Sequence, residues 1–284
     1  MSLYVFPPGE DPGPSFSGLL RLVQPAAAPL ERSGSGGLEI RHATTIVALR
    51  YGAGVVMAGD RRATEGVSIA HRSIEKVFAA DRYSAVAIAG AAGPAIEMVR
   101  LFQTQLEHYE KVEGTALSLE GKANQLSQMV RGHLPMAMQG LAVVPLFAGW
   151  DLARGCGRIF TYDVTGGRYE ETDFHATGSG GRDAKTTVKL GFHDDMSRDE
   201  AVELAVDALF QAADEDAATG GPDPVRGIYP IVATVDVTGF SRLGDPEVAE
   251  RFAAVAERRA SSTRRGASQV GADWPGSDGG SNQP

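Results

Sequence analysis

The chain has 284 residues, a net charge of −9 and a pI of about 5.2, which argues against nucleic acid or an anionic membrane as the main partner. Its single cysteine, Cys156, can form no internal disulfide, as is typical of proteins of the reducing cytoplasm. No apolar run approaches the ~20 residues that a membrane-spanning helix needs. We therefore expect a cytoplasmic protein without a membrane anchor.

The first 43 residues differ in composition from the remainder of the chain. They are rich in proline and end in a serine and glycine run, Ser33–Gly37. Such a composition does not form a packed core. An apolar, β-branched run begins at Thr44, so the boundary predicts a loose leader over residues 1–43 and a folded domain after it.

The first part of that domain predicts strands and then two helices. Apolar and β-branched residues predict strands over Thr44–Tyr51, Gly54–Gly59 and Tyr83–Gly90. Apolar residues at helical spacing predict one helix starting at Pro94 and another after Gly114. We expect Pro135 to kink or end the second helix.

The second part predicts strands at Leu141–Gly149, Arg158–Tyr162, Tyr169–Asp173 and Ile228–Val237. A capping box over Ser197–Glu200 predicts the start of a long helix, and a shorter helix is expected over Glu247–Arg259. Composition predicts a disordered tail over residues 260–284. Runs of strands alternating with helix pairs predict helices on both faces of stacked sheets.

Thr44 is the most informative candidate residue. If the chain is cut between Ala43 and Thr44, the new N-terminal threonine has both a hydroxyl nucleophile and a free amine. An α-amino group has a pKa of about 7.7–8.0 and can accept the hydroxyl proton near neutral pH. The alternative is that Thr44 and Thr45 simply favour a β-strand.

Two charged residues could support such a nucleophile. A nearby cation keeps the amine unprotonated and lowers the pKa of the hydroxyl, and a carboxylate can position that cation. Asp60 ends the second predicted strand, and Lys76 lies among apolar neighbours on the next segment. We expect them to form a buried pair beside Thr44, with a surface salt bridge of little energetic value as the alternative.

Three glycine-containing junctions could complete the site. Gly90, between a strand and a helix, could offer its backbone N–H to an oxyanion. Ser179 lies in a second junction, and Asp216 and Thr219 lie in a third. Taken singly, each is also explained as a turn or a helix cap. No Walker motif, dinucleotide-binding fingerprint or metal-ligand spacing is present, so no cofactor or metal is expected.

Taken together, these residues resemble the proteasome β-subunit family. The matching motifs occur in the family's order between Thr44 and about Asp236: Thr44-Thr45-Ile46-Val47-Ala48, Gly59-Asp60-Arg61-Arg62-Ala63-Thr64, Lys76, Ala89-Gly90, Gly178-Ser179-Gly180 and Asp216-Ala217-Ala218-Thr219-Gly220-Gly221. Two further segments, Met129–Gly132 and Thr219–Asp223, are similar to the actinobacterial type. The resemblance implies an α+β fold, a four-layer αββα sandwich of two antiparallel sheets between helix layers.

The resemblance also implies a threonine endopeptidase that removes its own leader. Thr44 would be the nucleophile, Lys76 with Asp60 would tune it, and the Gly90 N–H would hold the oxyanion. Ser179, Asp216 and Thr219 would orient the amine and a water. The implied substrate-binding residues are Ala63, Thr64, Ile74, Phe78, Ile88, Ala92 and Ile96. This chain departs from the family in having Ala43 before the cut and Thr219 in place of the more common serine.

The implied domains are a propeptide over 1–43, a threonine peptidase domain over 44–259 and a tail over 260–284. The implied partners are six further copies in a heptameric ring, a second such ring, capping α-subunit rings, a ring-shaped ATPase unfoldase and unfolded protein substrates. Two alternatives stay open: a catalytically silent ring subunit of the same fold, and a small-molecule amidohydrolase of the N-terminal-nucleophile class.

Overall fold

The computed structural model describes residues 44–65 and 68–272, with side chains as far as Ser261. The predicted leader and the last residues of the predicted tail, 273–284, lie outside the described residues. Within the described part, no helix has both the length and the apolar character needed to cross a bilayer.

The strands form two five-stranded antiparallel sheets and a two-stranded hairpin. The first sheet has the order β10-β1-β2-β11-β12, the second β5-β6-β7-β8-β9, and the hairpin is β3-β4. The strands are β1 (Thr45–Tyr51), β2 (Gly54–Gly59), β3 (Ala63–Glu65), β4 (Ser68–His71), β5 (Val77–Asp81), β6 (Ser84–Gly90), β7 (Val143–Asp151), β8 (Cys156–Tyr162), β9 (Arg168–Glu171), β10 (Phe174–Gly178), β11 (Ile231–Asp236) and β12 (Gly239–Arg242).

Helices cover the outer face of each sheet. They are α1 (Ala92–Glu113), α2 (Leu119–Gly132), α3 (Leu134–Met138), α4 (Gly181–Gly191), α5 (Arg198–Glu215) and α6 (Asp245–Ala272). Helices α1 and α2 pack on the second sheet, whereas α4 and α5 pack on the first, with α6 against α5. The result is the four-layer αββα sandwich that the family resemblance implies.

Strand β1 shows why the sequence forms these layers. Ile46 and Ala48 face the second sheet, and Val47 and Leu49 face the helices, with all four fully buried. Side chains alternate between the two faces of a strand, so a strand buried on both faces must be apolar throughout. That requirement explains the continuous apolar run that marks the start of the domain.

Several local predictions are confirmed. Strand β2 has the predicted bounds, and β1 and β6 each begin one residue later than predicted. The capping box is present, because the Ser197 side chain accepts from the Glu200 N–H and the Glu200 carboxylate accepts from the Ser197 N–H. Helix α2 ends at Gly132, shortly before Pro135.

The predicted start of the tail is wrong. Helix α6 does not stop at Arg259 but continues to Ala272, so disorder from residue 260 does not hold for residues 260–272. Each residue added to an existing helix gains one hydrogen bond, and Ala and Arg in this stretch favour helix. Composition alone does not predict this extension, because it takes no account of the helix that precedes residue 260.

Candidate active site

The strand register brings the predicted site residues to one end of the first sheet. Thr45 pairs with Gly178, and Ile46 pairs with Gly59. Thr44 precedes β1 and Asp60 follows β2, so these two residues lie next to each other at the same end of the two strands. There the Ser179 N–H donates to the Thr44 carbonyl at 2.9 Å.

Gly178 is required for this close approach. Its φ of +104° lies in the left-handed region, and a side chain there would overlap the Thr44 carbonyl. The backbone of Thr44 is thus held by a turn that accepts only glycine. Thr44 itself is buried, with 5% of its surface exposed. Its predicted partner in the cut bond, Ala43, lies outside the described residues.

Asp60 and Lys76 form a buried ion pair. The Lys76 Nζ lies 2.6 Å from Asp60 Oδ1, with 3% of the lysine side chain and none of the aspartate side chain exposed. Lys76 also donates to the Arg62 carbonyl at 2.6 Å. The alternative of a solvated surface salt bridge is therefore wrong, and the pair lies in the low-dielectric interior where electrostatic interactions are strong.

Each carboxylate oxygen of Asp60 accepts two hydrogen bonds. Oδ1 accepts from Lys76 and from the Thr45 N–H at 2.8 Å. Oδ2 accepts from the backbone N–H groups of Arg62 at 2.9 Å and Gly220 at 2.8 Å. This carboxylate is fully satisfied, which is the condition for burying a charge at tolerable cost.

Burial lowers the pKa of Lys76 from its ordinary 10.5, and the Asp60 carboxylate only partly opposes the shift. An ammonium with a lowered pKa is a more ready proton donor. Its charge also favours the neutral form of a nearby amine and the ionised form of a nearby hydroxyl.

A second carboxylate, Asp216, lies on the loop after α5. It accepts hydrogen bonds from the side chains of Ser179 and Thr219, the latter at 2.6 Å, and from the Ala218 N–H at 3.1 Å. Burial raises the pKa of Asp216, but these hydrogen bonds outweigh burial and leave it below the ordinary 3.8. The structure therefore brings Ser179, Asp216 and Thr219 together, as predicted.

A cavity with a volume of about 240 Å³ lies beside Thr44. Lys76 and Gly90 line the same cavity, so the candidate nucleophile, the buried ammonium and the candidate oxyanion group share one space. The remaining lining residues are mostly apolar: Ala63, Thr64, Ile74, Ile88, Ala91, Ala92, Gly93, Pro94, Ala95 and Leu141. Among these described residues, Lys76 is the only charged one.

Two predicted substrate-binding residues lie elsewhere. Phe78 and Ile96 are absent from the cavity lining and pack instead against the apolar cluster between the second sheet and α1. Their spacing alone does not reveal which face of β5 or α1 they occupy. Conversely, Leu141 lines the cavity although it is not among the predicted substrate-binding residues, since it is distant in sequence from the other lining residues.

Two lining residues have distinctive backbone or polar features. Gly90 has a φ of +115°, and a side chain there would overlap the Ala142 carbonyl, so this position also requires glycine. The buried Thr64 hydroxyl has no hydrogen-bond partner among the described residues. A buried hydroxyl without a partner is costly, so a polar group that entered the cavity could bond to it favourably.

Sequence reasoning missed Thr45 as a member of the site. Its side chain is fully buried and its Oγ1 lies 2.7 Å from Thr219 Oγ1. A polar residue directly before the buried apolar run Ile46–Leu49 is the signal that could have identified it.

The comparisons with known proteins identify the family of this chain. The family model for proteasome subunits matches residues 40–225 of this chain. The chain therefore belongs to the proteasome subunit family, whose β subunits form a protease and assemble into a core particle.

The similar proteins are β subunits. A proteasome subunit beta of Acidimicrobium ferrooxidans is 61% identical over 250 residues, which cover 88% of this chain and 92% of that protein. The proteasome subunit beta of Acidothermus cellulolyticus is 57% identical over 85% of this chain and 86% of its own length. That of Streptomyces griseus is 55% identical over 86% and 88%.

Proposed function

We propose that this chain is a catalytic β subunit, a threonine endopeptidase that becomes active when its leader is removed at the Ala43–Thr44 bond. The observation behind the proposal is that Thr44 lines a mostly apolar cavity together with the buried Lys76 of the Asp60–Lys76 pair. A silent subunit would have no need to bury an ion pair beside Thr44, given the large desolvation cost of doing so.

In the proposed reaction, the Thr44 hydroxyl attacks a substrate carbonyl while the freed Thr44 amine takes the hydroxyl proton, directly or through a water. Lys76 favours the ionised hydroxyl and the neutral amine. The Gly90 N–H donates to the oxyanion of the tetrahedral intermediate. The amine then protonates the leaving group, and water hydrolyses the acyl ester to release the second product.

Ser179, Asp216 and Thr219 have an orienting role in this proposal. Asp216 stays ionised at neutral pH because its pKa is lowered, so it can accept a hydrogen bond from the amine or from the water. Leader removal begins with attack of the Thr44 hydroxyl on the Ala43 carbonyl, but the Thr44 nitrogen is still an amide at that stage, so a water takes the hydroxyl proton. The Ala43–Thr44 C–N bond then breaks as the nitrogen is protonated, which leaves the leader as an ester on the Thr44 oxygen, and water hydrolyses that ester. The substrates are unfolded proteins, and no cofactor takes part.

The assembly in this proposal is a cytoplasmic core particle. Seven copies of this chain form a ring, two such rings stack, and α-subunit rings that receive substrate from a ring-shaped ATPase cap both ends. The native mass of the particle formed on co-expression with an α-type subunit tests this arrangement. A mass that requires a ring of another size would exclude the heptamer.

Intact-mass analysis and peptide hydrolysis test the catalytic proposal. We expect the mature chain to begin at Thr44 and Thr44→Ala to retain residues 1–43 and lose hydrolysis. Thr165→Ala, at an exposed turn between β8 and β9, is the matched control and should mature normally. A mature chain that starts elsewhere, or hydrolysis by Thr44→Ala, would contradict the mechanism; an inactive wild type that keeps its leader would indicate a silent ring subunit.

A further inference from the structure

Thr45 connects the two carboxylates of the site. Its backbone N–H donates to Asp60 Oδ1 at 2.8 Å, and its hydroxyl lies 2.7 Å from the Thr219 hydroxyl, which in turn donates to Asp216 at 2.6 Å. The Thr45 oxygen also accepts from the Gly180 N–H at 2.9 Å. One residue next to the nucleophile therefore contacts every junction of the site except the one at Gly90.

The direction of this hydrogen-bond chain is determined by its two ends. Asp216 has a lowered pKa and is ionised, so it can only accept, and the single Thr219 hydroxyl hydrogen is used on it. Thr45 must then donate to the Thr219 oxygen. At the other end the Gly180 N–H can only donate. All the donors point toward Asp216, and neither hydroxyl can reverse without breaking a bond.

This chain of hydrogen bonds is closed to solvent. The side chains of Thr45 and Thr219 both have no exposed surface, so water cannot replace a bond that is lost. The chain also bears directly on the nucleophile, since the turn that contains Gly180 presents the Ser179 N–H to the Thr44 carbonyl at 2.9 Å.

We propose that the Thr45 hydroxyl is a positioning group of this peptidase. It holds the loop of Asp216 and the turn of Gly180 in fixed positions relative to Thr44. The inference rests on the proposed function, because it assigns Thr45 a role in the reaction of Thr44. Thr45 touches no reacting atom in this role. It determines where Ser179, Asp216 and Thr219 lie when the amine takes up the proton.

Isosteric and conservative substitutions test the role of the hydroxyl. Thr45→Val keeps the shape but removes the acceptor of the Gly180 N–H and the donor to the Thr219 oxygen, which keeps only its bond to Asp216. Thr45→Ser keeps the hydroxyl. A displacement of about 1 Å in a reacting group can reduce the rate about 100-fold. For hydrolysis of a fluorogenic peptide by the mature particle, we expect Thr45→Val to lower kcat about 10- to 100-fold with little change in KM.

The serine variant and a matched control define the outcomes. Thr45→Ser should retain kcat to within about threefold, and Thr234→Val, which removes a similarly buried hydroxyl in β11, should behave as wild type. A Thr45→Val kcat close to that of wild type, or an equal loss in Thr45→Ser, would overturn the proposal. Failure of Thr45→Val to remove its leader, with normal removal in Thr45→Ser, would support it.

Gly180→Ala provides a second test in case Thr45→Val does not fold. The backbone of Gly180 has a φ of −89°, which alanine adopts without strain, but its methyl group would lie 2.7 Å from Thr219 Oγ1 and 2.8 Å from Thr45 Oγ1. We expect the two hydroxyls to be forced apart and kcat to fall as in Thr45→Val. A normal kcat in Gly180→Ala would show that the hydrogen-bond chain is dispensable.

Thr44→Ala, measured in parallel, separates the two proposals. If Thr44→Ala hydrolyses peptides, the proposed function fails, whatever Thr45 does. If Thr44→Ala is inactive while Thr45→Val and Gly180→Ala turn over normally, the nucleophile is correctly assigned and only the positioning role of Thr45 is refuted.

Discussion

Replacing Lys76 by methionine would leave a buried carboxylate without its cation. Removing one partner of a buried ion pair typically costs about 3–5 kcal/mol of folding free energy. Asp60 would retain three hydrogen bonds from backbone N–H groups, so we expect the lower end, about 3 kcal/mol. The solvent does not reduce this figure, because the lysine side chain is only 3% exposed.

A double-mutant cycle measures how much of that cost belongs to the pair. The free energies of unfolding of Lys76→Met, Asp60→Asn and the double variant are obtained from urea titrations at one protein concentration, since assembly shifts apparent stability. Fluorescence of Trp150, which packs against the inter-sheet cluster, reports unfolding. We expect the double variant to be more stable than the sum of the single changes predicts, by about 1.5 kcal/mol or more.

Peptide hydrolysis by variants of Lys76 tests its proposed role in catalysis. We expect Lys76→Met to lower kcat at least about 100-fold, which corresponds to about 2.7 kcal/mol of transition-state stabilisation. Lys76→Arg should fail as well, because a planar guanidinium does not fit where a compact ammonium lies 2.6 Å from both a carboxylate and a carbonyl. Additive stabilities within about 0.5 kcal/mol, together with near-normal turnover, would refute the reasoning.

Three further expectations concern the site and the capping box. The acid limb of the kcat/KM profile should lie below the pKa of an ordinary α-amino group, about 7.7–8.0, because the Lys76 ammonium favours the neutral Thr44 amine, whereas hydrogen bonds lower the pKa of Asp216 and keep that carboxylate ionised; a limb near pH 4 would exclude the amine as the base. Fluorogenic peptides ending in Tyr should be cleaved faster than those ending in Arg or Glu, because the cavity is mostly apolar and Lys76, the only charged residue among its described lining, is already paired; faster cleavage after Arg or Glu would contradict this. Ser197→Ala should lower the free energy of unfolding by about 1 kcal/mol in urea titrations and leave kcat unchanged, since it removes only a helix cap.

The main strands and the ion pair could be predicted because their determinants are local. Four consecutive apolar residues, Ile46 to Leu49, follow Thr45, and such a run is typical of a strand buried on both faces. Asp60 comes directly after the end of β2, and Lys76 comes directly before the apolar pair Val77 and Phe78, so each is already placed near buried surface by its own segment. Their pairing then needed only the two segments to be adjacent.

The hydrogen bonds of Thr45 could not be predicted in the same way. They depend on the register of β1 against β10 and on the position of a loop 174 residues away. A shift of one residue would turn the Thr45 side chain to the other face, and no local pattern specifies that register. The difference at Phe78 and Ile96 has a similar origin. Their closeness in sequence to residues of the cavity does not determine which face of β5 or α1 their side chains occupy.

The four hydrogen bonds accepted by Asp60 also have a consequence for timing during synthesis. Their donors are Thr45, Arg62, Lys76 and Gly220, so the first and last lie 175 residues apart (220 − 45). A nascent chain that has not yet emerged past α5 lacks the Gly220 donor and the whole Asp216 loop. The catalytic arrangement therefore cannot be complete on the ribosome until most of the domain has been made. If Thr44 is the nucleophile, as we propose, an incomplete chain therefore lacks the site with which it would cut its own leader or a neighbouring chain.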